Sequence, residues 1–254
     1  MTQRLPAVAL LLMLCSGAAL PASAQSFSPQ QRGEIETIVR EYLIKNPDIL
    51  KEVAAALERQ QAEADAARGK AAIKQHAKVL FESSRHVVLG NPRGDVTMVE
   101  FFDYNCGYCK RALVDMLELM KADPNLRVVL KEFPVLGEAS VQAAHVAAAA
   151  AMQDKSGKKY LEFHRRLLTG RGQIGKAQAL AAAKDAGFDV ARIERDIDGP
   201  EVKKALEESF MLAEALALNG TPSYVIGNNV VIGAVGQAKL RENINLARCG
   251  KTKC

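Results

Sequence analysis

The sequence predicts an α/β layered domain with a helical insertion, preceded by a helical arm. Three observations point to it. From Gln30 to about Ser84 the chain is alanine-rich and polar with helical period; two β-branched runs, Val96 to Tyr104 and Arg127 to Phe133, bracket a helix; and a hairpin and a last helix follow a long helical stretch.

The first element is a leader. Arg4 precedes an apolar run from Ala7 to Leu20 that ends in Pro21-Ala22-Ser23-Ala24, so residues 1–24 read as a signal peptide cut before Gln25. The run falls short of the roughly 20 residues needed to cross a bilayer. The bulky Leu14 before Cys15 speaks against lipid attachment. Losing the leader removes one of the five net positive charges, and no lysine or arginine cluster is interleaved with aromatics, which argues against a nucleic-acid partner. Four cysteines remain, in two close pairs, Cys106/Cys109 and Cys249/Cys254; in an oxidising compartment such pairs read as disulfides.

Residues 25–85 form the expected arm. Ile35, Ile38, Val39 and Tyr42 make one apolar stripe, and Asn46-Pro47-Asp48 reads as the start of a second helix carrying Ile49, Leu50, Val53 and Leu57. From Glu58 to Lys78 alanines alternate with charges, and Ile73 and Leu80 are the main large apolar residues. Such a segment lacks the means to make its own core. A homo-oligomer, dimer or trimer, is therefore expected.

Residues 86–254 form the expected domain. Val87-Val88-Leu89 leads into a turn at 90–95, and Val96 to Tyr104 reads as a buried strand. Arg111 to Lys121 has helical spacing and Arg127 to Phe133 is a second strand. The insertion, about residues 139–218, is helical and broken at glycines. Ser223 to Ile226 and Val230 to Val235 form a hairpin, and the last helix runs from Gln237 to Ala247.

The chemistry sits at Cys106-Gly107-Tyr108-Cys109, directly after a strand and opening a helix. Helix N-terminal amides stabilise a thiolate there, lowering a cysteine pKa from about 8.5 into the range of roughly 3.5–7.5. Cys109, one turn on, is placed to resolve a mixed disulfide. Two thiolates at this spacing also supply half of a zinc site, which only long-range convergence with Cys249 and Cys254 would complete.

From Val87 to about Ala247 the chain resembles the thioredoxin fold, and within it the DsbA-like periplasmic disulfide oxidoreductases. The resemblance rests on the strand–Cys106-Gly107-Tyr108-Cys109–helix unit, the insertion, and Gly220-Thr221-Pro222-Ser223-Tyr224-Val225. It implies a cis Pro222 facing the cysteines and a Thr221 whose main chain meets an extended substrate. It also implies that Gly107 and Tyr108 tune redox poise, and it implies the periplasm as the compartment. Glu100, six residues before Cys106, matches the family's buried acid, which helps move the proton of Cys109. It sits among Met98, Val99, Phe101 and Phe102, where an ionised carboxylate is costly unless paired, and Lys131 is the candidate partner, unless both face solvent from an edge. The layout is closest to suppressor of copper sensitivity C-type proteins, whose N-terminal helices hold protomers together. Cys249 and Cys254 depart from the minimal pattern and read as a structural staple.

The expected activity is thiol:disulfide exchange on unfolded or misfolded exported proteins, with no cofactor. A membrane partner, either a quinone-linked oxidase or a thiol reductase, would reset the pair. The rivals are a copper- or zinc-binding protein using the same cysteines and an oligomeric surface protein on an inert fold. His145 and His164 read as ordinary helix residues.

Overall fold

A computed structural model describes residues 27–154 and 156–254, so the expected leader at 1–24 lies outside the described residues. The described residues divide into two units, the first ending at Leu57 and the second Glu58–Cys254.

In the first unit, α1 (Pro29–Lys45) starts at Ser28, whose hydroxyl accepts the Gln31 N–H while the Gln31 side chain accepts the Ser28 N–H. Proline at the first helical position fits the same start. α1 buries no residue. Ile35, Ile38, Val39 and Tyr42 are exposed, as are Leu50, Val53 and Leu57 at the beginning of α2 (Asp48–Glu82).

In the second unit the later part of α2 changes character, because Gly69, Ile73 and Leu80 are buried. Gly69 lets the helix come close: a Cβ there would stand 3.1 Å from Val230. The expected arm therefore reaches the sheet through its last turns.

The sheet has the order β1-β3-β2-β4-β5. Its strands are β1 (Val87–Gly90), β2 (Val96–Phe102), β3 (Leu126–Glu132), β4 (Ser223–Ile226) and β5 (Asn229–Ile232). β2 and β3 are parallel, and all other pairings are antiparallel. The crossover from β2 to β3 is α3 (Gly107–Ala122). The edge strand β1 adds to the expected strands; its four residues were legible only as the approach to a turn. Gly227, at φ +58° between β4 and β5, turns the hairpin where a Cβ would lie 2.8 Å from Ala247.

The insertion comprises α4 (Glu138–Ala151), α5 (Lys158–Thr169), α6 (Lys176–Asp185), α7 (Val190–Asp196) and α8 (Pro200–Ala215), and α9 (Gln237–Cys249) closes the chain. Apolar residues cover both sheet faces. Met98, Phe102, Val128 and Leu130 join Leu113 and Met116 of α3 and Leu240 of α9. On the other face Val99, Phe101 and Val129 join Ile73 and Leu80 of α2 and Leu212 of α8. Side chains alternate along each strand, so every position on β2 and β3 is committed to one face.

Candidate active site

β2 runs into a tight turn, Asp103 to Cys106, closed by the Cys106 N–H donating to the Asp103 carbonyl at 3.1 Å. Cys106 is the N-cap of α3, in extended conformation (φ −78°, ψ 115°), so its sulfur sits where the first helical N–H groups have no intrahelical partner. A Cβ on Gly107 would meet nothing within 4 Å, although Cys106 itself is buried, 5% exposed. The Cys106 thiol donates to the carbonyl oxygen of Thr221 at 3.2 Å, and the Thr221–Pro222 bond is cis, as the resemblance implied. The Cys109 thiol is the largest influence holding the Cys106 pKa down, to about 5. Burial opposes it, while the Thr221 side chain and the Cys109 and Tyr108 N–H groups assist. Cys109 is pushed up, first by its bond to the Cys106 sulfur, then by burial and by the charge of Glu100. The two sulfurs are thus unequal: one stabilised as a thiolate, the other kept as a thiol.

Glu100 lies on the α3 face of the sheet, opposite Tyr224 of β4, and is buried, its Oε2 without a hydrogen-bond partner among the described residues. Burial, then the charges of Asp115 and Cys106, lift it to about 8. The expected pair with Lys131 is not formed. Lys131 is in register with Phe101, not Glu100, and belongs to the opposite face. Its ammonium donates to the Val79 carbonyl at 3.3 Å and stands 3.7 Å from Glu208 of α8. His86 and Arg85 complete that group, at 2.9 and 3.2 Å from the same carboxylate. Burial lowers Lys131 to about 7, partly offset by Glu208. Glu208 falls to about 2 against its own burial, through its bonds to His86 and Ser83 and the nearby charges.

Several neighbours of the site escaped sequence reasoning. Asp103 accepts four hydrogen bonds, and Asn105 ties the turn to Ser140 and to the backbone of Ile174. An Asp followed two residues later by Asn, just before a helix start, is a turn signature that could have revealed them. Lys110 anchors to the Gly170 carbonyl at 2.8 Å. Arg111 stands over the ring of the exposed Tyr108, 4.5 Å from its centroid. Beneath the turn, Tyr104 reaches Tyr160 and His164, and Tyr160 donates to buried Glu132 at 2.8 Å. His164 is a core residue, its pKa lowered to about 3 by burial. Cys249 and Cys254 are joined in a disulfide at the exposed end of α9.

A family model described as DSBA-like thioredoxin domain matches residues 97–245, and one described as Copper resistance protein ScsC N-terminal domain matches residues 31–64. Among solved structures, a thioredoxin-like oxidoreductase from Silicibacter pomeroyi is 43% identical, with TM-score 0.63, covering 67% of this chain and 96% of its own. A Proteus mirabilis ScsC variant is 25% identical, with TM-score 0.65, covering 89% and 98%. The thiol:disulfide interchange protein DsbA of Bordetella pertussis is 26% identical over 56% of this chain and 68% of its own. A Na(+)/H(+) antiporter NhaA from Salinispora arenicola is 27% identical over 58% of this chain, which spans only 22% of the antiporter's length.

Proposed function

Because this chain belongs to the DSBA-like thioredoxin domain family, we propose that it is a thiol:disulfide oxidoreductase that makes or reshuffles disulfides in exported proteins, in the periplasm. The observation that carries the reading is the inequality of the two sulfurs: Cys106 at the start of α3 with donors around it, Cys109 buried behind it.

In the oxidising direction a substrate thiolate attacks the Cys106 sulfur of a Cys106–Cys109 disulfide, and Cys109 leaves, taking a proton. A second substrate thiolate then attacks the substrate sulfur of the mixed disulfide. A substrate disulfide forms and Cys106 departs as the stable thiolate. In isomerisation the reduced Cys106 thiolate attacks a wrong substrate disulfide, and Cys109 resolves the adduct when the substrate does not. Thr221 and Pro222 align the substrate strand, and Gly107 leaves room for its approach. Glu100, with its carboxyl raised to about 8, exchanges the proton of Cys109 on the same face of the sheet. Lys131 acts only on the opposite face, so we assign it no part in this transfer. The Cys249–Cys254 bridge is a staple of the tail.

The exposed apolar residues of α1 and early α2 support a homo-oligomer. Self-association would bring several Cys106 sites to one substrate at high effective concentration, which favours isomerisation. A membrane oxidase or reductase resets the pair. The test is insulin reduction and refolding of scrambled ribonuclease by the mature protein, beside trapping by Cys109→Ser. Failure of both assays, or equal trapping by Cys106→Ser, would overturn the reading.

The match of residues 31–64 to a domain named for copper resistance favours one second reading, Cu(I) held by the soft thiolates of Cys106 and Cys109. Copper titration of the reduced protein beside the insulin assay separates the two.

A further inference from the structure

Asp103 is 1% exposed, yet among the described residues no cation pairs with it; hydrogen-bond donors surround it instead. One carboxylate oxygen accepts the Asn105 N–H at 2.8 Å and the Ser140 hydroxyl at 2.7 Å. The other accepts the N–H groups of Val135 and Leu136 at 2.9 and 3.0 Å. A carboxylate offers about four acceptor positions, and here donors occupy all of them. The same residue's main-chain carbonyl closes the turn that ends at the Cys106 N–H. Asn105 extends the arrangement, bonding Ser140 and both backbone groups of Ile174.

We propose that Asp103 is the positioning residue of the Cys106 site, fixing the nucleophile's turn and the Val135–Leu136 loop in one register. The inference rests on the exchange activity proposed above and adds a residue to it. Three segments distant in sequence meet at Asp103: the end of β2, the connection before α4, and, through Asn105, the connection before α6. Val135 and Leu136 are exposed apolar side chains whose backbone N–H groups both donate to Asp103. The loop is therefore an apolar surface tied to the turn that delivers the sulfur.

The sign of one measurement separates positioning from charge. A carboxylate near a thiolate disfavours it, so removing the charge alone would make Cys106 more acidic. Removing the anchor instead loosens the turn, takes Cys106 away from the N–H groups of Tyr108 and Cys109, and makes it less acidic. The experiment is iodoacetamide alkylation of reduced protein against pH for wild type, Asp103→Ala, Asp103→Asn and Ser140→Ala. Arg248→Ala serves as the control, because it breaks the ion pairs to Asp95 and Asp123 and destabilises the domain away from the site. Asp103→Ala should alkylate about tenfold more slowly at pH 6, its profile displaced to higher pH. Asp103→Asn, whose amide has one accepting oxygen and strands two donors, should fall between it and wild type. Ser140→Ala should shift least, and Arg248→Ala not at all. If Asp103→Ala does not fold, the other two carry the test. Wild-type profiles in the Asp103 variants, or a displacement to lower pH, would overturn the proposal. A wild type that titrates like a free thiol and reduces no insulin would overturn the exchange reading instead.

Discussion

Glu100 and Lys131 stand on opposite faces of the sheet although their strands are direct neighbours. Glu100 shares its face with Met98 and Phe102 and with the helix that carries the cysteines. Lys131 shares its own with Phe101 and Val129, under α2 and α8. Glu100 and Lys131 therefore do not neutralise one another, and Lys131 is paired instead with Glu208, so that Glu100 and Glu208 each give their own dependence on pH.

For Glu100, burial raises the carboxyl from 4.5 to about 8. Between those values the unfolded chain has released this proton and the folded chain retains it. Folding stability should then fall with rising pH by about 1.4 kcal/mol per unit. Glu100→Gln should remove that slope, so that the variant gains on wild type from pH 5 to pH 7.5. Urea denaturation of the reduced proteins at both pH values measures it; parallel curves would show that Glu100 ionises freely in the fold.

For Glu208 the direction is opposite. Its pKa falls from 4.5 to about 2, so its contribution is present above 4.5 and is lost as pH drops toward 2. Glu208→Ala strands the fully buried Lys131 and should cost about 3–5 kcal/mol, whereas adding Lys131→Met to it should recover most of the loss. Neither change should move the alkylation profile of Cys106, which lies beyond the other sheet face. A double variant no more stable than Glu208→Ala alone would mean that the ion pair is not what the carboxylate supports.

The strand–cysteine–helix unit, the insertion and the hairpin were legible because each is written in consecutive residues. The partner of Glu100 was not. Pairing across two strands depends on register, and a shift of one residue moves a side chain to the other face without changing the local sequence. Glu208 and Ser140 were illegible for a related reason: nothing near them in sequence marks the buried lysine or the aspartate they face. Asp103 was hidden inside the run Val96 to Tyr104 that reads as a strand, and its bonds to Val135 and Leu136 join segments about thirty residues apart.

Cys109 is the largest influence on Cys106, which yields a prediction about a single atom. Cys109→Ala removes the thiol donor and should move the Cys106 alkylation midpoint upward from about 5. Cys109→Ser keeps a hydroxyl donor, should move it less, and should accumulate mixed disulfides with substrate. Equal midpoints in wild type and Cys109→Ala would place the stabilisation in the helix N–H groups alone.

The arm gives the last prediction, and the point of truncation decides what is tested. Ile73 and Leu80 are 2% and 0% exposed, lying against Val99, Phe101 and Val129. Burying one such side chain rather than an alanine is worth about 2–5 kcal/mol. A chain begun near Arg85 would lose both, together with the Val79 carbonyl that accepts from Lys131. It should unfold at much lower denaturant than one begun at Glu58, which keeps that cover and omits the exposed apolar residues of α1 and early α2. The chain begun at Glu58 should be monomeric, keep dithiol oxidation and lose most isomerisation of scrambled disulfides, while the full mature chain sediments as an oligomer. A monomeric mature chain would remove the oligomer, undiminished isomerisation from Glu58 would remove its link to activity, and equal stability of the two truncated chains would remove the structural role of Ile73 and Leu80.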